Sequence, residues 1–160
     1  MRCAVCGQDH PDDDIELTYV HPDAIVGLSA AQRVARVQES PDFVVLDDSR
    51  FFVRAVLPIP VRGRRRGYNI GVWAELDGAA FQRVVQRWQD TDRSTEPAMP
   101  AKLANAIRSQ PRTLGLDVAL RLTGPTSRPS VHVVSELHPL HAEQTAGVSL
   151  HRVQDYRPGT

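Results

Sequence analysis

The residues best placed to do chemistry open the chain: Cys3-Ala-Val-Cys6-Gly7-Gln-Asp-His10, which contains both of its 2 cysteines. A Cys-x-x-Cys pair followed by glycine is a metal-knuckle turn. Two thiolates converge on one soft cation, and the glycine permits the positive φ that the tight loop needs. A disulfide suits a secreted chain, and a thioredoxin-like redox pair should follow a strand and open a helix. This pair instead precedes the run Asp9-His-Pro-Asp-Asp-Asp14. Zinc binding is therefore the leading expectation.

A tetrahedral zinc site needs more than two ligands. His10 is near enough in sequence to be the third, and His138, His141, His132, His21 and His151 are candidates for the fourth. A closed shell of two sulfurs and two nitrogens would be structural. Three protein ligands would leave a position for water and open a route to hydrolysis. Glu143 stands five residues after His138, where it would be the general base of such a hydrolase or else a solvated surface carboxylate.

Arginines form the other constellation. Arg62 and Arg64, Arg65 and Arg66 alternate with Gly63 and Gly67 ahead of Tyr68, a pattern for a phosphate-binding loop or for a solvated hairpin tip. Arg54 lies inside an apolar run. A buried arginine needs a carboxylate, with Asp47 or Glu75 as candidates, unless it lines a pocket and holds an anion. Trp73, beside Gly71, is expected in the core. No phosphate-binding Gly-Lys loop, Gly-x-Ser-x-Gly elbow or dinucleotide fingerprint occurs.

The elements that position these residues fit one domain of 160 residues, enough to bury a core without help from metal. With 19 basic and 19 acidic residues the formal charge is zero, which argues against generic nucleic-acid or membrane-surface binding. No apolar run is long enough to span a bilayer and no leader segment precedes Cys3, so a cytoplasmic location is expected.

Ser29-Ala-Ala-Gln32 is a capping box opening a helix, with Val34 and Val37 inward. Residues 43–46 and 51–57 form a β-hairpin, with Pro58 and Pro60 at an edge or exit. A strand follows over 68–76. Asp77 caps a helix whose Phe81, Val84, Val85 and Trp88 make a buried stripe. Residues 89–100 are a long loop, and Pro100 is placed to start a helix ending near Ser109. Strands follow at 116–122 and 130–135. Pro139 and Gly147 bracket a helix, and Ser149 caps the last one. Adjacent strands without a βαβ rhythm indicate an α+β domain, residues 1–157, with a mostly antiparallel sheet; 1–14 form the metal-knuckle segment and 15–157 the body.

An ordered set of residues runs through nearly the whole chain: Cys3-x-x-Cys6-Gly7-x-x-His10, Asp47, Phe52-x-Arg54, Ile59-Pro60-Val61, Gly71-Val-Trp73, Asn105, Thr113-Leu114-x-Leu116, Arg128-Pro129 and His138-Pro139-Leu140-x-x-Glu143-Gln144-x-x-Gly147. It resembles the bacterial domain of unknown function 2199 family. The resemblance implies a single domain and, because the family has no assigned activity, carries over no catalytic residue. It singles out His138 as fourth zinc ligand, through the His-Pro-Leu motif at a helix start, where the alternative is a side chain hydrogen-bonded to the helix N-terminus. The chain departs from the family at Arg64-Arg65-Arg66, where a short polar loop is usual, and at Ser135-Glu136-Leu137, where the family brings an aspartate.

The expectation is a non-enzymatic protein with a structural zinc on Cys3, Cys6, His10 and His138, working through a protein partner. A zinc hydrolase using Glu143 is the second reading. An anion or nucleic-acid binder using Arg64, Arg65 and Arg66 is the third.

Overall fold

A computed structural model describes residues 16–124 and 127–158; the Cys3, Cys6 and His10 motif lies outside them. The elements are α1 (Asp23–Val26), α2 (Ala30–Arg36), β1 (Val37–Glu39), β2 (Phe43–Leu46), β3 (Arg50–Ile59), β4 (Tyr68–Leu76), α3 (Gly78–Arg87), β5 (Met99–Leu103), β6 (Asp117–Arg121), β7 (Ser130–Val133), α4 (Pro139–Ala146) and α5 (Leu150–Tyr156). The strands pair in chain order, every neighbour antiparallel, and one parallel contact between β3 and β7 bends β3 to β7 into a small closed barrel. The α+β class is as expected from the sequence.

Alternation decides which side chains enter the barrel. Val53, Ala55, Leu57 and Ile59 of β3 and Ile70, Val72 and Ala74 of β4 are sealed from solvent, as are Val118 and Leu120 of β6 and Val131 of β7. At about 25 cal/mol per Å² of apolar surface, this interior is the main source of stability. A second, smaller core sits on the outer face, where Phe52 and Trp73 meet Val44, Leu46, Ala104 and Ile25 of α1. Gly71 lets the chain before α1 lie against β4: a Cβ there would stand 2.9 Å from the Thr18 side chain, while main-chain bonds join Gly71 to Leu17 and Tyr19.

β3 has two partners along one edge. Its first half pairs with β2 across a turn whose Asp47 and Asp48 adopt φ of 53° and 52°, a region aspartate tolerates better than most residues. Its second half meets β7 at a single registered pair, Val56 and Ser130. Pro58 and Pro60 have no N–H to extend that ladder. Instead the Gln144 side chain donates to the Pro58 and Val131 carbonyls and accepts from the Val133 N–H, at 2.8–3.1 Å. Beyond it the Val148 N–H donates to the Pro60 carbonyl. Gly147, at φ 81°, makes this possible, since a Cβ would stand 3.0 Å from the Pro60 oxygen. The prolines read as an exit thus lie on the barrel seam, which α4 stitches shut.

Three expected features differ. The α2 capping box forms, yet Val34 is 87% exposed and no residue of the helix is buried, because no element packs over it. In α3 only Val84 is fully buried. Val85 points outward, whereas Phe81 and Trp88 are half-buried against Phe43 and Phe51. Pro100 starts no helix. It lies exposed within β5, where Met99, Ala101 and Leu103 alternate inward and pairing with β6 overrides its helix-start preference. After α3, the buried Arg93 donates to the carbonyls of Trp88, Thr123, Gly124 and Ser127, fastening this loop to the turn before β7.

Candidate functional site

His138 occupies the N-cap of α4, as the Pro139 start dictates. Its Nδ1 accepts from the Leu140 N–H at 3.1 Å, and its Nε2–H faces the Pro111 carbonyl at 2.6 Å. These bonds select the tautomer protonated at Nε2 and use both ring nitrogens, joining α4 to the loop before β6. Among the described residues no group of three or more histidine, cysteine, aspartate or glutamate side chains is placed to hold a metal. His132 lies on β7, His141 within α4 and His151 within α5, while His21 contacts Arg33.

Glu143 is neither a solvated carboxylate nor an unoccupied base. Its oxygens accept from Arg152 Nε at 3.0 Å, from the Tyr156 hydroxyl at 3.0 Å and from Gln110 Nε2. Tyr156 is fully buried, and it accepts from Gln110 and Arg152 while donating to Glu143. Burial, reinforced by the Glu143 charge, pushes the Tyr156 hydroxyl up to about 12. The Arg152 guanidinium is raised by Glu143 and Asp155 against the effect of its burial. The knot ties α4 and α5 to the loop after β5. Both oxygens of the carboxylate are thus occupied by framework donors.

The arginine loop between β3 and β4 is tied down at two points. Arg62 donates to the Gly147 carbonyl at 2.8 Å, and Arg66 lies 3.4 Å from the Glu16 carboxylate. Arg64 lines a surface cleft with His132 and Gln144. The loop is thus anchored to the seam and to the chain before α1.

Asn105 was visible in the sequence only as part of the family set, yet it is one of the most connected buried side chains. Its oxygen accepts from the Trp73 N–H at 2.8 Å. Its amide donates to the His21 carbonyl and to Asp23, which in turn caps the Ala106 N–H. Thr113 bridges the Asn105 carbonyl and the Ile107 N–H. No local signal could reveal these roles, because the Asn105 side chain bonds to main-chain atoms and a carboxylate up to 84 residues away.

Arg54 behaves differently. The two carboxylates considered for it are taken, Asp47 by Arg36 and Glu75 by Arg50, each through two hydrogen bonds. Its Nε is buried without a hydrogen-bond partner.

This geometry is that of a single α+β domain built on a small closed barrel, in which the motif residues Trp73, Asn105, Thr113, His138 and Gln144 bond to main-chain atoms. The chain belongs to the bacterial family described as "Uncharacterized protein conserved in bacteria (DUF2199)", whose model matches residues 2–148. No curated protein and no solved structure matches it. Among the described residues no helix is long and apolar enough to cross a membrane.

Proposed function

We propose that the protein is a non-catalytic binding domain whose N-terminal segment carries a structural zinc ion on Cys3, Cys6 and His10, and that it acts through a protein partner. The observation that carries the non-catalytic reading is the saturation of Glu143 by Arg152, Tyr156 and Gln110. The carboxylate best placed in sequence to be a hydrolytic base belongs to the framework instead. Zinc rests on the Cys-x-x-Cys-Gly spacing and on the thiolate donor set. A partner surface is supported by Val26 and Val34, apolar side chains that α1 and α2 leave to solvent.

Elemental analysis of purified variants tests this. About one zinc per chain is expected, lost in Cys3→Ser and Cys6→Ser. His138→Ala assigns the fourth position: retained zinc with lower stability makes His138 a helix cap, and lost zinc makes it a ligand. Glu143→Gln should stay folded and zinc-loaded, with weakened stability and no activity to lose. A folded, zinc-loaded Glu143→Gln protein that has lost a hydrolytic activity about a hundredfold or more would establish the hydrolase instead.

A further inference from the structure

Between the chain before α1, the β1–β2 turn and the outer face of β2, β3 and β4 lies a cleft of about 340 Å³, lined by Val20, His21, Val44, Arg54 and Trp73 and by residues 39–41. Arg54 sits opposite Trp73 in the β3–β4 register, so a guanidinium stands beside the wall of the small outer core. We propose that this cleft binds the carboxylate of a small organic acid, gripped by Arg54, with the apolar part of the acid against Val20, Val44 and Trp73. This goes beyond the zinc-bearing binding domain and does not depend on it.

Four observations converge. The first is the missing partner: the Arg54 guanidinium, whose Nε is buried without an acceptor, makes no hydrogen bond or ion pair among the described residues, and a carboxylate ligand at its remaining nitrogens would supply acceptors in the fork geometry arginine prefers. The second is the charge around it. Arg128, in the segment before β7, repels Arg54, while Asp42, just before β2, attracts it. Burial and the Arg128 charge together hold the guanidinium below its ordinary value. The third is that Glu39, the carboxylate lining the cleft, is already taken by Arg33 through two bonds of 2.9 and 3.0 Å, and Arg33 also contacts His21. The fourth is size and polarity. The volume is at the small end for ligand sites, and Val20, Pro41, Val44 and Trp73 give the walls an apolar portion beside the polar His21, Glu39, Ser40 and Arg54. Asp42 and Glu39 disfavour a dianion such as phosphate and leave a monocarboxylate as the better match.

Benzoate and hexanoate are suitable probes, with benzyl alcohol, hexan-1-ol and inorganic phosphate as controls. The reporter is the indole N–H resonance of Trp73, which donates to the Tyr19 carbonyl beside the cleft. Benzoate or hexanoate should shift it saturably, with a dissociation constant of roughly millimolar order. The matching alcohol should bind at least about tenfold more weakly, and phosphate should give no saturable shift. Arg54→Met should abolish the acid's advantage over the alcohol. Arg54→Lys, which keeps the charge without the fork, should stay folded and weaken acid binding several-fold. The proposal is overturned if neither acid saturates, if Arg54→Lys and Arg54→Met bind as the parent does, or if phosphate binds as tightly as benzoate.

Discussion

The barrel seam at Gln144 and the cleft at Arg54 lie along the same edge of β3, and they treat half-buried polar groups in opposite ways. At the seam, prolines at 58 and 60 withhold N–H groups from the ladder, and the Gln144 amide meets the main-chain atoms left over. At the cleft, the guanidinium of Arg54 keeps a buried nitrogen without an acceptor, while Glu39, the carboxylate in the lining, serves Arg33. The difference teaches where to look for function. A polar side chain whose every atom meets main chain is part of the frame, however strongly a motif suggests chemistry. One left unsatisfied weakens the fold, as Gln110 Oε1 does inside the knot, and becomes a candidate for an external ligand only where its side chain also lines a cleft, as Arg54 does.

The contrast can be broken most sharply at Asn105. Asn105→Ala orphans the Trp73 N–H and the His21 carbonyl, and at about 1–3 kcal/mol per buried group it should cost about 2–6 kcal/mol in a denaturant titration. A loss under about 1 kcal/mol would show that water or main-chain shifts replace the amide. Gln144→Leu keeps the volume and removes the stitch, so it should cost about 2–4 kcal/mol, read the same way.

Alkaline pH sharpens the frame side. The Tyr156 hydroxyl holds its proton more tightly folded than unfolded, so its contribution is complete below about pH 10 and is lost as pH climbs to about 12. That loss amounts to as much as about 2–3 kcal/mol. Melting temperatures across this window should fall more steeply for the parent than for Tyr156→Phe. Parallel slopes would mean that the knot around Glu143 opens before Tyr156 titrates.

Much of the frame was legible in the chain, and the reasons are local. Period-two alternation gave β3 and β6, and capping side chains gave the starts of α2, α3 and α5. The Asp47-Asp48 turn gave the hairpin. The failures came where tertiary contacts overrule local preference. Pro100 has a helix-start preference that pairing with β6 defeats, and Val34 has helical periodicity but no element above it. The candidate site was legible in residue types and not in partners. The residue types offer Glu143 as a hydrolytic base or a solvated carboxylate and His138 as a zinc ligand or a helix-start hydrogen bonder, and neither reading of Glu143 anticipates its knot of partners. What constrains them, Arg152, Tyr156 and Gln110 for one and the Pro111 carbonyl for the other, comes from segments that meet only once the barrel closes.

The most direct measurement is a pair of urea titrations, Gln144→Leu beside Arg54→Met, each against the parent without added ligand. Methionine matches the length of the arginine stem without bringing a charge that needs a partner. The account predicts opposite responses: a clear loss for Gln144→Leu, and a stability for Arg54→Met within about 1 kcal/mol of the parent or above it. A loss for Arg54→Met as large as that for Gln144→Leu would contradict it, because Arg54 would then be as much a part of the frame as the seam.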